Sequence, residues 1–270
     1  MAKMRVGIVG CGNIASDICI AIRDKEIPAV VVALTDIDAA KAESLRQTYD
    51  LNAVIGTLDE TVSSVDYVVE CAVVAVVPEV LHAVIKHHVD CLIMSLGGLM
   101  THPELLEEAK KNRVHVWLPT GAICGVDGIR AAMQAGLESV TLTTRKPPRG
   151  LVGAPYLKER NIDVEHITEP YVVFDGTARE AVKAFPANVN VAAALSLAGI
   201  GPDATRVRLI ADPAATTNTH EIHAVGAFGE LTTITRNCPS PRNPKSSYMA
   251  SLSACAEVVA AAALFAAREG

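Results

Sequence analysis

The chain has 270 residues, of which half are hydrophobic and 20% are charged. That length and composition are typical of a globular protein with one or two domains. The formal net charge of −6 excludes the basic footprint of a nucleic-acid-binding protein. The seven cysteines include no Cys-x-x-Cys pair, which favours reduced thiols over a disulfide framework, and we expect no metal site.

Two features bear on where the protein resides. A strand pattern is already under way at Arg5, which leaves no room for a signal peptide ahead of it. The longest uncharged stretch lies between Lys183 and Asp203, and it is interrupted by Pro186 and Gly199. Such a stretch is a poor membrane span. We therefore expect a cytoplasmic protein without a membrane partner.

The first strand pattern runs directly into a glycine turn. Residues 5–9 are apolar and β-branched, Gly10-Cys11-Gly12-Asn13-Ile14-Ala15 follows, and a helical pattern begins there. The glycines let the backbone approach a pyrophosphate, and the free N–H groups at the helix start face its phosphates. This Gly-x-Gly-x-x-Ala motif predicts a dinucleotide site, the alternative being a turn that needs glycines only for its shape. The predicted contacts are Gly10, Gly12, Asn13 and Ile14.

An acidic residue follows the second strand pattern. The apolar run 29–34 ends at Thr35-Asp36, close to the spacing at which a ribose-binding carboxylate is expected. A carboxylate there accepts hydrogen bonds from the ribose hydroxyls and repels a 2′-phosphate. No arginine follows, since the next residues are Ile37 and Asp38. Asp36 therefore favours NAD as cofactor, with NADP possible; the alternative is a solvated turn residue.

Apolar runs and helical patterns continue to alternate up to about residue 121. Strands are predicted at 65–70, 91–95 and 114–118, and helices at 81–88 and 103–112. This rhythm predicts an α/β fold with a Rossmann-type, doubly wound parallel sheet. Ligands bind beyond the carboxyl ends of such strands. We therefore assign Cys71 and Ala72, which follow the strand at 65–70, to the cofactor site.

The pattern changes after about residue 125. Alternating, threonine-rich strands are predicted at 140–145, 171–174, 206–211, 220–225 and 231–235, with helices at 178–184 and 191–198. They indicate a second α+β domain built on a mostly antiparallel sheet, covered on one face by helices. We predict domains at 1–121 and 122–241, with a last helix, 246–267 within 242–270, returning to the first. Arg145-Lys146 precedes Pro147-Pro148, which suggests a structural loop.

Three groups of residues are candidates for chemistry. His220 stands at a strand entrance, where a catalytic histidine and a capping or core histidine are both plausible. Asn190 stands before an apolar helix, where an ordinary N-cap is the alternative to a ligand contact. Lys245, Ser246 and Ser247 combine a cation, two hydroxyls and a helix start, which suits a dicarboxylate as well as it suits a plain capped helix.

In these motifs the chain resembles the L-aspartate dehydrogenases over nearly its whole length. The resemblance rests on residues 7–14, 119–123, 144–148, 185–192, 211–213, 218–222 and 243–247. It implies conversion of L-aspartate, NAD(P)+ and water to oxaloacetate, ammonia and NAD(P)H through iminoaspartate, which can feed NAD biosynthesis. We also expect a homodimer that binds small molecules and no nucleic acid.

The resemblance also implies roles for particular residues. It makes His220 the catalytic residue, places the nicotinamide near Asn190, and places a main-chain cofactor contact at Ala122 or Cys124. We assign Asn218 to substrate binding, together with the possible dicarboxylate anchor formed by Lys245, Ser246 and Ser247. Two alternatives stay open: another oxidoreductase, similar to homoserine dehydrogenase or dihydrodipicolinate reductase, and a non-catalytic NAD-binding sensor.

Overall fold

The structure is a computed structural model that describes residues 2–24, 27–185, 190–243 and 246–269. It divides into two compact units. The first comprises Met1–Pro119 with Ser251–Gly270, and the second comprises Thr120–Ala250.

The first unit contains a six-stranded sheet in which all five neighbouring pairs are parallel. Its strand order is β3-β2-β1-β4-β5-β6, so the chain progresses outward in both directions from β1. The predicted doubly wound sheet is therefore confirmed. The strands are β1 (Met4–Val9), β2 (Ala29–Thr35), β3 (Val54–Ile55), β4 (Tyr67–Glu70), β5 (Asp90–Ile93) and β6 (Val116–Trp117). The helices are α1 (Asn13–Asp24), α2 (Ala39–Thr48), α3 (Leu58–Ser63), α4 (Val77–His87), α5 (Gly97–Thr101) and α6 (Glu104–Lys111).

Four of these elements, α2, β3, α3 and α5, go beyond the patterns identified in the sequence. α2 is short and polar, and it starts where Asp38 accepts a hydrogen bond from the Ala40 N–H. α3 has only six residues and starts with a capping box formed by Thr57 and Glu60. Elements this short carry little hydrophobic periodicity, so for α2 and α3 the local caps are the main signal in the sequence.

The second unit contains a five-stranded sheet in the order β11-β10-β7-β9-β8. Only β7 and β9 pair in parallel, and the other three pairs are antiparallel, which confirms the mostly antiparallel prediction. The strands are β7 (Leu137–Lys146), β8 (Tyr171–Thr177), β9 (Arg206–Ala211), β10 (Asn218–Gly226) and β11 (Gly229–Asn237). The helices are α7 (Val126–Ala132), α8 (Pro155–Glu159), α9 (Ala178–Ala184) and α10 (Asn190–Ala198).

Strand β7 extends further than its sequence pattern indicates. Arg145 and Lys146 are its last two residues, and the loop that Pro147-Pro148 suggests begins directly after them. The pairing continues to Lys146 because that residue lies opposite Ala211 on β9, and it stops at Pro147, which has no N–H to donate.

The boundary of the second unit lies at Ala250 rather than at residue 241. The segment that follows β11 stays with this unit because it folds back on itself. Pro239 and Ser247 form a β-bridge, Ser240 N donates to Ser246 O at 2.8 Å, and Tyr248 N donates to Cys238 O at 2.9 Å.

The last helix, α11, spans Tyr248–Glu269. Among the described residues it is one helix whose length and composition would suffice to cross a membrane. One side of it is nevertheless part of the core of the first unit, where Ala254, Val258 and Ala262 are at most 1% exposed. One face of α11 therefore belongs to the core of the parallel-sheet unit. The uncharged stretch identified in the sequence, 184–202, contains a different helix, α10.

A buried carboxylate ties the ends of two central strands together. Glu70, the last residue of β4, is fully buried. Its side chain accepts hydrogen bonds from Ala72 N at 2.9 Å, from Ser95 N at 2.9 Å and from Ser95 Oγ at 2.8 Å, and one from Met94 N at 3.1 Å. Burial raises the pKa of this carboxyl. The bonds fix the loop after β4 relative to the end of β5.

We expect Glu70→Ala to destabilise the protein, because Ser95 would keep a buried N–H and a buried hydroxyl without this acceptor. The loss is about 3 kcal/mol, which corresponds to a fall in Tm of roughly 6–12 °C. Thermal unfolding followed by circular dichroism measures it, with Glu107→Ala on the exposed face of α6 as the control. Equal melting temperatures for the two variants would show that the hydrogen bonds to Glu70 contribute little to stability.

Candidate active site

A cavity of about 810 Å³ lies at the carboxyl ends of β1, β2 and β4 in the first unit. Most residues predicted to hold the cofactor line it: Gly10, Gly12, Asn13, Asp36, Cys71 and Ala72. Ile14 does not line it, since its half-buried side chain packs against the hydrophobic core, and the predicted contacts Ala122, Cys124 and Asn190 belong to the second unit. The volume and position are those of a ligand pocket in a doubly wound sheet.

The glycine turn fits a pyrophosphate. Gly10 has a φ of 93°, and a Cβ there would lie 2.6 Å from the Ala72 Cα, so only glycine is accommodated. A Cβ on Gly12 would meet nothing within 4 Å, so the backbone is open on the side that a phosphate approaches. α1 begins at the next residue, Asn13. The first N–H groups of a helix have no acceptor within the helix, which suits a phosphate bound at this end.

Asp36 is held in place before any ligand arrives. Its Oδ2 accepts a hydrogen bond from Cys11 N at 2.7 Å, and its Oδ1 accepts one from Asp38 N at 2.9 Å. Each oxygen keeps a second lone pair for a ribose hydroxyl. Lys41 lines the same cavity, which the sequence reasoning did not identify. Its ammonium adds a positive charge to the lining of the predicted cofactor cavity.

His220 lies in the second unit, on the face of the sheet that α9 and α10 cover. It is 4% exposed, and its Nδ1 is 2.9 Å from Thr144 Oγ1 on the paired strand β7. Burial and the nearby charge of Lys146 lower its pKa to about 3, so the imidazole is neutral at pH 7. Because Thr144 engages Nδ1, Nε2 is the nitrogen left for a substrate. Sequence reasoning missed Thr144, since only the strand register brings it to His220.

Three of the predicted substrate residues come together in the second unit. Asn218, Ser246 and Ser247 line a cavity of about 310 Å³, and Asn218 Nδ2 donates to Ser247 Oγ at 3.5 Å. Both serines lie just ahead of α11, as the dicarboxylate interpretation requires. Lys245 lies outside the described residues. Arg149 and Asn237 also line the cavity.

Asn237 is a buried residue that the sequence did not mark. It is 4% exposed, its Nδ2 donates to Ala122 O at 2.9 Å, and its Oδ1 has no hydrogen-bond partner among the described residues. The Ala122 carbonyl is thus engaged within the unit. Cys124 is exposed and accepts hydrogen bonds from Thr233 Oγ1 at 3.0 Å and from Thr235 Oγ1 at 3.2 Å.

Asn190 is the first residue of α10 and is exposed. Its position leaves the amide accessible to a ligand. Within the described ranges, no group of three or more His, Cys, Asp and Glu side chains is arranged to hold a metal ion.

Comparisons with known proteins cover both units. Residues 127–261 match the family model described as aspartate dehydrogenase, C-terminal, and residues 10–119 match the model described as homoserine dehydrogenase, NAD binding domain. The L-aspartate dehydrogenase of Methanosarcina mazei is 47% identical over 93% of this chain and 94% of its own length. That of Nitrosopumilus maritimus is 40% identical, with 93% of each chain covered.

Solved structures agree. The crystal structure of aspartate dehydrogenase from Thermotoga maritima has a TM-score of 0.72 and 26% identity, covering 93% of this chain and 94% of that one. The myo-inositol dehydrogenase of Lactobacillus casei has a TM-score of 0.53 at 13% identity, covering 85% of this chain and 74% of that one, and shares the fold alone.

The lowered pKa of His220 predicts acid sensitivity. Its folded value of about 3 lies below the ordinary value of 6.5, so below pH 6.5 the unfolded state binds a proton that the folded state does not. Stability is therefore lost as the pH falls from 6.5 towards 3, by about 1.4 kcal/mol per pH unit. Urea unfolding of the parent and of His220→Gln between pH 5 and 8 measures this. The parent should lose stability relative to the variant only below about pH 6.5. A constant difference would contradict the prediction.

Proposed function

Because the chain belongs to the L-aspartate dehydrogenase family, we propose that it oxidises L-aspartate to oxaloacetate and ammonia through iminoaspartate, with NAD preferred over NADP. The 47% identity over nearly the full length carries the assignment. The alternatives are not favoured: the match to homoserine dehydrogenase is confined to residues 10–119, and the relatives are named as enzymes rather than as sensors.

The residues of the second unit suit this reaction. The bound nicotinamide supplies the hydride acceptor. Hydride leaves the α-carbon only when the amine is neutral, so a base must first take a proton from the substrate ammonium. Nε2 of His220 is available for that proton while Thr144 holds the other nitrogen. The same nitrogen then passes protons as water adds to the imine and ammonia leaves.

The low pKa of His220 in the free protein is compatible with this role. It arises from burial and from a neighbouring positive charge. A substrate with two carboxylates brings negative charge to the site and raises the pKa of the imidazole towards the range in which a histidine exchanges protons efficiently. The base therefore becomes effective when the substrate is bound.

The experiment that tests the function is a screen of L-amino acids for reduction of NAD+ and NADP+. L-aspartate should give the highest kcat/KM, and oxaloacetate with ammonium should oxidise NADH. A parent enzyme that oxidises another amino acid more efficiently would overturn the proposal.

Cofactor preference is predicted to depend on Asp36. Asp36→Ala removes the ribose hydrogen bonds and the repulsion of a 2′-phosphate. The KM for NAD should therefore rise, and the difference in KM between NAD and NADP should become smaller. Steady-state kinetics with both cofactors measures the change, with Asp127→Ala on the exposed side of α7 as control. A parent enzyme that prefers NADP would contradict this reading of Asp36.

His220→Ala is predicted to lower kcat by about 10²–10⁴-fold, the usual contribution of general acid–base catalysis, while NAD still binds. One limb of the pH–rate profile should disappear with it. The control is His166→Ala at an exposed histidine, which should leave kcat and the pH–rate profile unchanged. Near-normal turnover with an unaltered profile would place the base elsewhere.

We further propose that the enzyme is a cytoplasmic homodimer and that its iminoaspartate can serve NAD biosynthesis. Exposed apolar residues on strands of the second unit support self-association: Tyr171 is 48% exposed, and Val172 and Ile234 are each 44% exposed. Light scattering should give twice the chain mass of 28.4 kDa. A value equal to one chain would exclude the dimer.

A further inference from the structure

We propose that Lys146 binds a carboxylate of the amino-acid substrate beside His220. The inference rests on the proposed function, because that function supplies a dicarboxylate substrate. The first observation is the position of Lys146 in the sheet. His220 pairs with Thr144 across β10 and β7, and Thr144 and Lys146 are two residues apart on the same strand. Residues two apart point to the same face of a sheet, so Lys146 and His220 lie on one covered face.

The two adjacent cations at the end of β7 have different surroundings. Arg145 faces the other way, and its Nη1 forms an ion pair with Asp212 Oδ2 at 2.8 Å. Lys146 is only 6% exposed, in line with Val140, Leu142 and Thr144 on the buried face. Burial penalises the ammonium of a lysine, so a lysine at such a position needs polar or anionic groups close to it.

The side chain of Lys146 lies behind the wall of the substrate cavity defined above, next to Gly150, and is not itself one of the lining residues. Its Cδ lies 4.0 Å from where a Cβ on Gly150 would stand. Gly150 lines the cavity together with Asn218 and Ser247. Lys146 therefore runs beneath the wall of that cavity and is close enough to His220 for its charge to act on the imidazole.

Electrostatics favour an anion at this place. Burial lowers the pKa of Lys146 to about 8, and its charge in turn disfavours the charged form of His220. The ammonium of Lys146 thus opposes protonation of His220 on the same buried face. A carboxylate between them stabilises both charged forms, so the site selects an anionic substrate and prepares His220 to accept a proton when that substrate is bound.

The test compares Lys146→Met, Lys146→Arg and, as control, Lys158→Met on the exposed side of α8. Methionine keeps an unbranched apolar stem, and replacing a buried charge with a hydrophobic residue of similar volume is often neutral for folding. Melting temperature checks this for each variant, and Lys146→Gln is a second variant should the methionine protein not fold. Succinate is the probe, because it carries two carboxylates and no amine.

In Lys146→Met, the Kd for succinate and the KM for L-aspartate should both rise about ten- to a hundredfold, the value of a charge-assisted hydrogen bond. The KM for NAD should stay the same, and Lys146→Arg should recover part of the affinity. Succinate affinity that is unchanged while kcat falls would overturn the proposal, because Lys146 would then move protons rather than bind a carboxylate. Equal losses for NAD and succinate would also overturn it, as a folding effect.

The proposed function and the carboxylate site at Lys146 can each be contradicted independently of the other. A parent enzyme that does not oxidise L-aspartate, but whose succinate affinity depends on Lys146, would contradict the proposed function and leave the carboxylate site in place. If the parent enzyme oxidises L-aspartate but Lys146→Met leaves the affinity for succinate unchanged, the proposed function stands and the carboxylate site is contradicted.

Discussion

The pairing of β7 with β10 is the constraint on which the arrangement of the second unit depends. It places Thr144 opposite His220, and the resulting 2.9 Å contact engages Nδ1 of the imidazole. A shift of the register by one residue would turn His220 to the opposite face and remove the contact. Backbone hydrogen bonds along the two strands therefore position the imidazole of His220, and the side-chain contact then leaves Nε2 as the nitrogen without this partner.

The first unit prepares its cavity in a comparable way, with structure that exists before a ligand binds. The Glu70 carboxylate holds the loop after β4, and Ala72 in that loop limits residue 10 to glycine. Asp36 is oriented by two backbone N–H groups. Such preorganisation reduces the conformational entropy lost when the cofactor binds, so more of the contact energy contributes to affinity.

Fold alone does not choose the substrate. A parallel sheet followed by a mixed sheet is also found in the myo-inositol dehydrogenase of Lactobacillus casei, at 13% identity. Function depends on the side chains that a shared scaffold presents. Here the covered face of the second sheet carries a neutral histidine and a buried lysine, a combination that favours a substrate with negative charge.

The sequence by itself determined the parallel sheet, the glycine turn and Asp36, because these follow from local periodicity and from residue types that a βα turn requires. It also marked His220, Ser246 and Ser247 through motifs that are contiguous in the chain. Thr144, Lys146 and Asn237 were decided only by tertiary structure. Thr144 is 76 residues from His220, and strand pairing alone brings them together. The roles of Lys146 and Asn237 depend on burial, which a two-residue alternation does not reveal when the buried member is polar.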